Sequence, residues 1–525
     1  MRKNLKLLAS LFLLIFLANS CVSPKNPRTM IDPNKTDVLI SGKKKILKAH
    51  LNSGELIVYE PNWNFDSNSG YLSGSGFKYS MKRDIQINGE HKVHIDSVAI
   101  FEMNEALATN ANTRIVGKAL IYSISGAIAV ACIIDPKICF GSCPTFYMED
   151  YSENIALAEG FSNAIAPSLA YADIDALGTF QSKENEIELI MRNEALETHV
   201  IQGLELLAIP KKDGLNILHG TDNKFYQCSK ETLLEASSTN ENQFHLLRNK
   251  DRKEWFIPSN PENLKSPSKL SLNFGQLDPN KKYGLKLNYR QSLMTTYFIY
   301  SALDYMGPDI GNYFQRIESG FNVKDKLNQG IKAELGEIEV YTLNQKSEEW
   351  EFQGSFYETG PIAMNEQVLP INLSNFGNTE IVLKLNEGLW RIDQASLVEI
   401  DREVIPESLT LKSYAGELDS LPKTINPTED QPLISLPGNE YRFTFQSALD
   451  QQDYHLFLNA KGYYIEWMRE EWAQSSNPRK LYQLFEKSKT YLKQEAEAYK
   501  QYETELEPFF WKSRINTKEQ SRYNY

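Results

Sequence analysis

Glu194, Glu197 and His199 lie close enough in the chain to do proton chemistry. In an extended segment residues two apart share a face, so Glu197 and His199 point the same way. A carboxylate beside an imidazole tunes proton transfer. The run Asn193 to His199 reads equally well as a structural turn, because no nucleophile or third partner can be assigned to it. A second acidic group, Glu466, Glu470 and Glu471, flanks Trp467 and Trp472, as acids flank aromatics in sugar-cleaving enzymes. Glycoside cleavage needs two carboxyls at a set separation in space. Sequence neighbours do not supply that, and a solvated acidic edge is expected. His91 and His94, three apart on an expected strand, face opposite sides and do not share a metal. Nucleophile-elbow, P-loop, metalloprotease and dinucleotide patterns are missing from the chain. No catalytic residue, metal or cofactor is assigned, and enzymatic activity is left open, with a non-enzymatic role favoured.

These residues need a scaffold, and its period is mostly two. Ile46 to Leu51, a turn at Asn52-Ser53-Gly54, and Leu56 to Tyr59 give a hairpin signal. Ile187 to Met191 and Val200 to Ile209 are apolar strands around the Asn193–His199 turn. Short strands recur at Ile338 to Tyr341, Trp350 to Phe352, Val368 to Ile371, Ile381 to Leu385 and Leu389 to Ile400, a β-sandwich spacing. Later strands are expected at Tyr441 to Phe445, His455 to Leu458 and Gly462 to Trp467. Helices are expected over Ser292 to Tyr305, stopped by Gly307-Pro308, and from Ile310. Asn477-Pro478 opens one long C-terminal amphipathic helix with Leu481, Leu484, Phe485, Leu492, Ala496 and Tyr499 on one face, packing on the last sheet. Ala119 to Ile134 carries no charge. Its length falls between a buried helix and a membrane span, and a helix buried under or lying on the β-domains is favoured. The fold class is therefore mainly β, multi-domain and sandwich- or barrel-like, with few helices.

The first 20 residues have another purpose. Arg2, Lys3 and Lys6 precede an apolar run from Leu7 to Leu17, and small residues lead into Cys21. This is the layout of a secretory signal peptide. Ending in Leu17-Ala18-Asn19-Ser20-Cys21, it resembles the lipobox of bacterial lipoproteins. The resemblance implies a diacylglycerol on the Cys21 thiol, cleavage before it, and acylation of the new amino terminus. Val22 follows rather than Asp, and Ser23 to Lys35 is polar and proline-containing, suited to a tether. The expected address is the outer membrane, with its periplasmic face favoured over the cell surface. The boundaries read as signal peptide 1–20, lipidated cysteine and tether 21–36, small β-domain 37–108, and apolar helical segment 109–140. They continue as β-domain 141–236, polar linker 237–269, helix pair with β-sandwich 270–402, and strands with the long helix 403–525.

Export bears on the remaining cysteines, Cys132, Cys139, Cys143 and Cys228. In an oxidising compartment they are disulfide candidates. Four allow three pairings, among which sequence does not choose, though a Gly-Ser turn between Cys139 and Cys143 suits a short loop. The same spacing also fits two zinc ligands, but a second Cys or His pair is missing. Without the leader's three cations the 56 basic residues fall to 53 against 68 acidic ones, a net charge of about −15. That opposes nucleic acid as a partner.

Six segments in order carry a second resemblance. They are Gly141-Ser142-Cys143-Pro144-Thr145-Phe146-Tyr147, Asn163-Ala164-Ile165-Ala166-Pro167, Asn193 to His199, Leu293-Met294-Thr295-Thr296-Tyr297, Thr359-Gly360-Pro361-Ile362-Ala363, and Trp390-Arg391-Ile392-Asp393. Together they resemble an uncharacterised family of Bacteroidota-type lipoproteins with a Ser-Cys-Pro-x-x-Tyr strand, an Asn-Glu-x-x-Glu-Thr turn and a Trp-Arg-Ile-Asp strand. That resemblance implies a mainly β, multi-domain body and no transferable activity. The leading expectation is a lipid-anchored envelope protein that docks other envelope proteins or supports the envelope. A glycan-binding sandwich using Trp350 and Trp390, and a hydrolase with an unrecognised site, are the alternatives.

Overall fold

The structure is a computed structural model. It describes residues 28–31, 39, 46–81, 85–104, 143–148, 155–195, 197–233, 235–238, 241–318, 330–344, 347–357, 360–373, 378–416, 422–467 and 476–513. Cys21, Cys132, Cys139, Ala119 to Ile134, Glu470, Glu471 and Trp472 lie outside them. The chain divides into two compact units, the first ending near residue 118 and the second holding the rest. No helix among the described residues is long and apolar enough to cross a membrane.

The first unit is one seven-stranded antiparallel sheet. Its order is Arg28–Ile31, Val98–Asn104, Ile46–Leu51, Leu56–Tyr59, Tyr71–Tyr79 and Asn64–Asp66, with Gln86–His94 on the other side of Tyr71–Tyr79. The expected hairpin forms, with Leu47 opposite Tyr59. Leu47, Ala49 and Leu51 point into a core with Ile57, Tyr59, Trp63 and Phe101. Alternation sends Lys48 and His50 to the other face. There Lys48 Nζ lies 3.0 Å and His50 Nε2 3.4 Å from the Glu102 carboxylate, all three side chains buried. Gly74 and Gly76 sit within the strand Tyr71–Tyr79. A Cβ on Gly76 would lie 2.0 Å from the Val58 carbonyl oxygen.

The second unit is built from three sheets whose strands come from distant parts of the chain. A nine-stranded sheet runs Tyr171–Gln181, Asp453–Glu466, Glu197–Pro210, Glu407–Gly416, Glu440–Gln446, Glu186–Arg192, Thr145–Met148 and Ala158–Glu159, with Leu433–Ser435 beside Glu197–Pro210. Its two ends approach each other, Ala158–Glu159 lying beside Tyr171–Gln181. A six-stranded sheet closes on itself, because Phe225–Thr232 pairs with both Asn216–Gly220 and Trp390–Val404. Asn365–Ile371 and Lys282–Gln291 complete the ring, and Trp255–Phe256 adds to its outside. The third sheet runs Glu241–Asn242, Glu235–Ser238, Pro267–Gln276, Asn378–Asn386, Ile338–Asn344 and Glu349–Phe356. Its Leu270, Ile338, Val340 and Leu383 share one core with Leu285, Leu287 and Tyr289 of the ring.

Several sequence boundaries change. The strands of 171–210 pair with those of 407–466, so 141–236 and 403–525 are one body rather than successive domains. Residues 237–269 are not a linker. Leu247, Trp255 and Leu264 are buried in the shared core, and Leu264 N donates to Leu492 O at 3.3 Å. His455 to Leu458 and Gly462 to Trp467 fall within or at the end of one strand, Asp453–Glu466. The long C-terminal helix is three segments, Pro478–Glu486, Ser488–Gln494 and Ala496–Ser513, interrupted at Lys487 (φ −134°) and Glu495. Its expected apolar face holds, with Leu481, Leu484, Leu492, Ala496 and Tyr499 buried. It packs on the helix Met294–Met306 rather than on the last sheet, through Tyr305–Tyr491 hydroxyls 3.2 Å apart and Tyr297–Tyr499 rings at 5.2 Å. The Asn477 side chain caps it by accepting from Lys480 N.

Gly76→Ala should force the Val58 and Gly76 backbones apart and loosen the first unit. Hydrogen exchange is expected to quicken across Leu56–Tyr59 and Tyr71–Tyr79 while protection of Glu197–Pro210 is unchanged.

Candidate functional site

The turn singled out by sequence is a buried clasp. Asn193 Nδ2 donates to Glu197 O at 2.9 Å and Ser435 O at 3.0 Å. Glu194 accepts from the Tyr147 hydroxyl at 2.6 Å and the Thr145 hydroxyl at 2.9 Å. Arg192 pairs with Glu440 at 2.8 Å and covers the Tyr147 ring. Glu197 and His199 do share one face of their strand, with His199 Nε2 3.0 Å from Glu197 Oε2. Glu194 and Glu197 are thus held by different neighbours. Glu466 accepts from the Tyr300 hydroxyl. Trp467 is buried and donates to Thr198 Oγ1 at 2.9 Å, so Glu466 and Trp467 form no solvated acidic edge.

Around Glu197 the resembling segments converge. One small cleft is lined by Cys143, Asn163, Glu197, Thr295, Thr296, Gly360 and Pro361, a contribution from five of the six, together with Glu159, Gln291, Tyr300, Tyr464 and Glu466. The sixth adjoins it, since Trp390 pairs with Gln291. The cleft's open volume is about 30 Å³, room for a water molecule or two.

Its most unusual wall is Glu159, which sequence reasoning did not select. The carboxylate accepts from Ile362 N at 2.8 Å and Ala363 N at 3.4 Å. Gly360 presses against it so closely that a Cβ there would lie 1.9 Å from Oε2. Burial pushes the Glu159 carboxyl up to about 7, against the two amides and the Cys143 thiol, which favour its charged form. Asp173 and Asp175 stand behind it. Burial raises Asp173 to about 6, while Asp175 is raised well above the ordinary range by burial and by Asp173 and Glu159. One Asp175 oxygen accepts the Glu159 amide and Oδ2 has no hydrogen-bond partner. Both aspartates alternate with Ile174 and Ala176, which pack on the opposite face against Leu207, Ile217, Phe225 and Phe457. That two-sided burial leaves no periodic signal by which sequence could have picked out Glu159 and its neighbours.

For the two cysteines within the described residues, the disulfide expectation is corrected. Cys143 and Cys228 are both buried free thiols. Cys143 donates to Ser162 O at 3.3 Å. Burial raises its pKa well above the usual thiol range, helped by Glu159 and Glu197, and pushes Cys228 up to about 12. Thiols so held are poor nucleophiles and poor metal ligands. Among the described residues no Cys, His, Asp and Glu group could hold a metal.

The two tryptophans part company. Trp390 is 1 % exposed, its ring 5.9 Å from Tyr289 in the core, and it cannot stack on a glycan. Trp350 is 43 % and Phe352 58 % exposed on the edge strand Glu349–Phe356. A register shift places Tyr341 opposite Phe352 while Val340 faces Gly354. The extra residue, Gln353, turns both rings to the face opposite the core. Phe352 then packs on Tyr341 at 5.5 Å. Among the described residues this strand pairs only with Ile338–Asn344.

No protein-family model matches the chain. No curated protein matches it in sequence. Among solved structures, the secreted serine protease VesC from Vibrio cholerae aligns at 8% identity over 73% of this chain and 98% of its own, with a TM-score of 0.13. A likeness that slight carries no argument.

Glu159 binds more protons folded than unfolded between its ordinary 4.5 and about 7, so its contribution to stability falls as pH rises through that window. Glu159→Gln, which keeps the acceptor without the charge, should gain on the wild type by about 2–4 kcal/mol between pH 5 and pH 8. Urea midpoints of both proteins at the two pH values measure it.

Proposed function

We propose that this chain is a lipid-anchored cell-envelope protein, moored at the outer membrane through Cys21, that docks another envelope protein rather than catalysing a reaction. The docking reading rests on the exposed aromatic face of the Glu349–Phe356 edge strand. Among the described residues no strand pairs with its other side, which suits an added strand, one way a sheet edge captures an extended peptide. Trp350 and Phe352 supply aromatic anchors of the kind that dominate interface energies. Glu349 and Glu351 alternate with them, which favours an extended partner segment carrying cations.

The polar cleft supports a non-catalytic reading. Its space holds a water or two, and Glu159, Glu197 and Glu466 are each engaged by neighbouring groups. The glycan reading keeps one specific support, the paired exposed rings of Trp350 and Phe352.

A photo-reactive phenylalanine analogue at Trp350 in living cells should yield one discrete protein adduct, reduced at least tenfold by Phe352→Ala. An absence of adduct across growth conditions, with glycan-array binding lost on Trp350→Ala, would instead favour sugar. Labelled palmitate should enter the wild-type chain and not Cys21→Ala; equal labelling of both removes the anchor.

A further inference from the structure

A larger cavity opens elsewhere in the second unit, where the nine-stranded sheet meets the self-closing ring. One wall comes from the strands Glu197–Pro210 and Asp453–Glu466, which bring Ile209 opposite His455. The other comes from the ring, where Ile217 pairs with Gln227 and Gln227 with Arg402. Its volume is about 480 Å³, within the ~300–1,000 Å³ typical of small-molecule sites. The floor is apolar, formed by Ile209, Leu215, Ile217 and Val404, and it is backed by the packed side chains of Leu207, Phe225 and Phe457. Ile405 stands at the mouth, 90 % exposed.

The rim carries the opposite chemistry. Lys212 and Arg402 both line the cavity. Among the described residues neither has a carboxylate partner, and Arg402 donates only to the Gln227 amide oxygen, at 3.1 Å and 3.4 Å. Glu403, the carboxylate on the rim, is taken by Lys224 at 2.8 Å. His455 in the wall is held below its ordinary pKa by burial, with Lys211 adding to it, and adds no charge at neutral pH. In a chain of net charge −12, two unpaired cations over an apolar trough mark a complementary surface.

We propose that this cavity binds one long-chain fatty acid, its carboxylate between Lys212 and Arg402 and its chain along the Ile209–Ile217 floor. A neutral hydrocarbon would leave the cations unused, and a cationic amphiphile would be repelled by them. The site is independent of the edge strand and of what Cys21 carries.

The test uses the full chain bearing Cys21→Ala, without detergent, and displacement of a fluorescent fatty acid by laurate, myristate and palmitate. Saturable binding of one molecule per chain is expected, tightening about fourfold per added methylene until the trough is filled. Lys212→Ala with Arg402→Ala, both exposed positions, should weaken binding at least tenfold with an unchanged melting curve. Ile405→Asp at the mouth should weaken it as well. Dodecyltrimethylammonium should not compete. Any one of three results overturns the proposal: no saturable binding, equal competition by the cationic amphiphile, or binding to phosphatidylglycerol vesicles without binding of the monomeric acid.

Discussion

The structure turns on how a buried carboxylate is accommodated by backbone amides, with no cation paired to it among the described residues. Glu159 ends the two-residue strand at the seam where the nine-stranded sheet nearly meets itself. Its own amide goes to the Asp175 carboxylate across that seam, and its side chain gathers the amides of Ile362 and Ala363. Three remote segments are thereby tied to one residue. An isolated buried charge costs several kcal/mol, and two amide donors offset only part of that. The remainder is met by proton uptake, which is why burial lifts Glu159, Asp173 and Asp175 together. Gly360 is dictated by the same contact, since any side chain there would fill the space the carboxylate occupies.

Several other acids meet cations. Lys48 and His50 meet Glu102, Arg192 meets Glu440, and Lys286 meets both Glu231 and Glu366. Glu366 is accordingly held below its ordinary pKa by Lys286 and Lys250, although burial pushes it the other way. Arg290 and Arg391 share Glu254 and Glu507, which fastens the last helix to the ring and to the 237–269 stretch. The difference between these sites and the Glu159 seam lies in what the opposite strand presents. Lysines beside Glu366 hold it below its ordinary range, whereas at the seam, with amides, a thiol and other acids for neighbours, burial lifts Glu159.

Local features were legible in the sequence, and long-range ones were not. The Ile46–Tyr59 hairpin follows from alternation around Asn52-Ser53-Gly54, and the Asn477 cap from a donor-satisfying side chain before Pro478. Asp453–Glu466 was divided at Asn459 to Lys461, where the apolar run lapses although strand pairing continues, and Gly462 lies just past that point. Here it stays in the strand and lets the chain pass within a Cβ's reach of Val200 O and the Phe161 ring. The 237–269 stretch misled because three large apolar anchors were spread among polar residues. Glu197 and His199 were paired correctly from strand period alone. Glu159 was invisible because the amides that hold its carboxylate, Ile362 and Ala363, lie some two hundred residues away, and a single sequence carries no record of such pairings. Trp350 and Trp390 looked alike as residues, and they separate only through the bulge at Gln353.

That bulge bears on what the outer edge strand is for. An open edge with exposed aromatics invites pairing with any extended chain, and folded proteins blunt such edges with charge or irregular geometry. Both devices are present. Glu349 and Glu351 place like charges where a second copy of the same edge would bring its own. The extra residue at Gln353 interrupts regular pairing beyond Phe352. What survives is a short open stretch, aromatic on one face and acidic along its length. It repels its own copy and suits a partner of complementary charge. In the docking we propose, selectivity would rest on repulsion as much as attraction, with the aromatic rings supplying contact area.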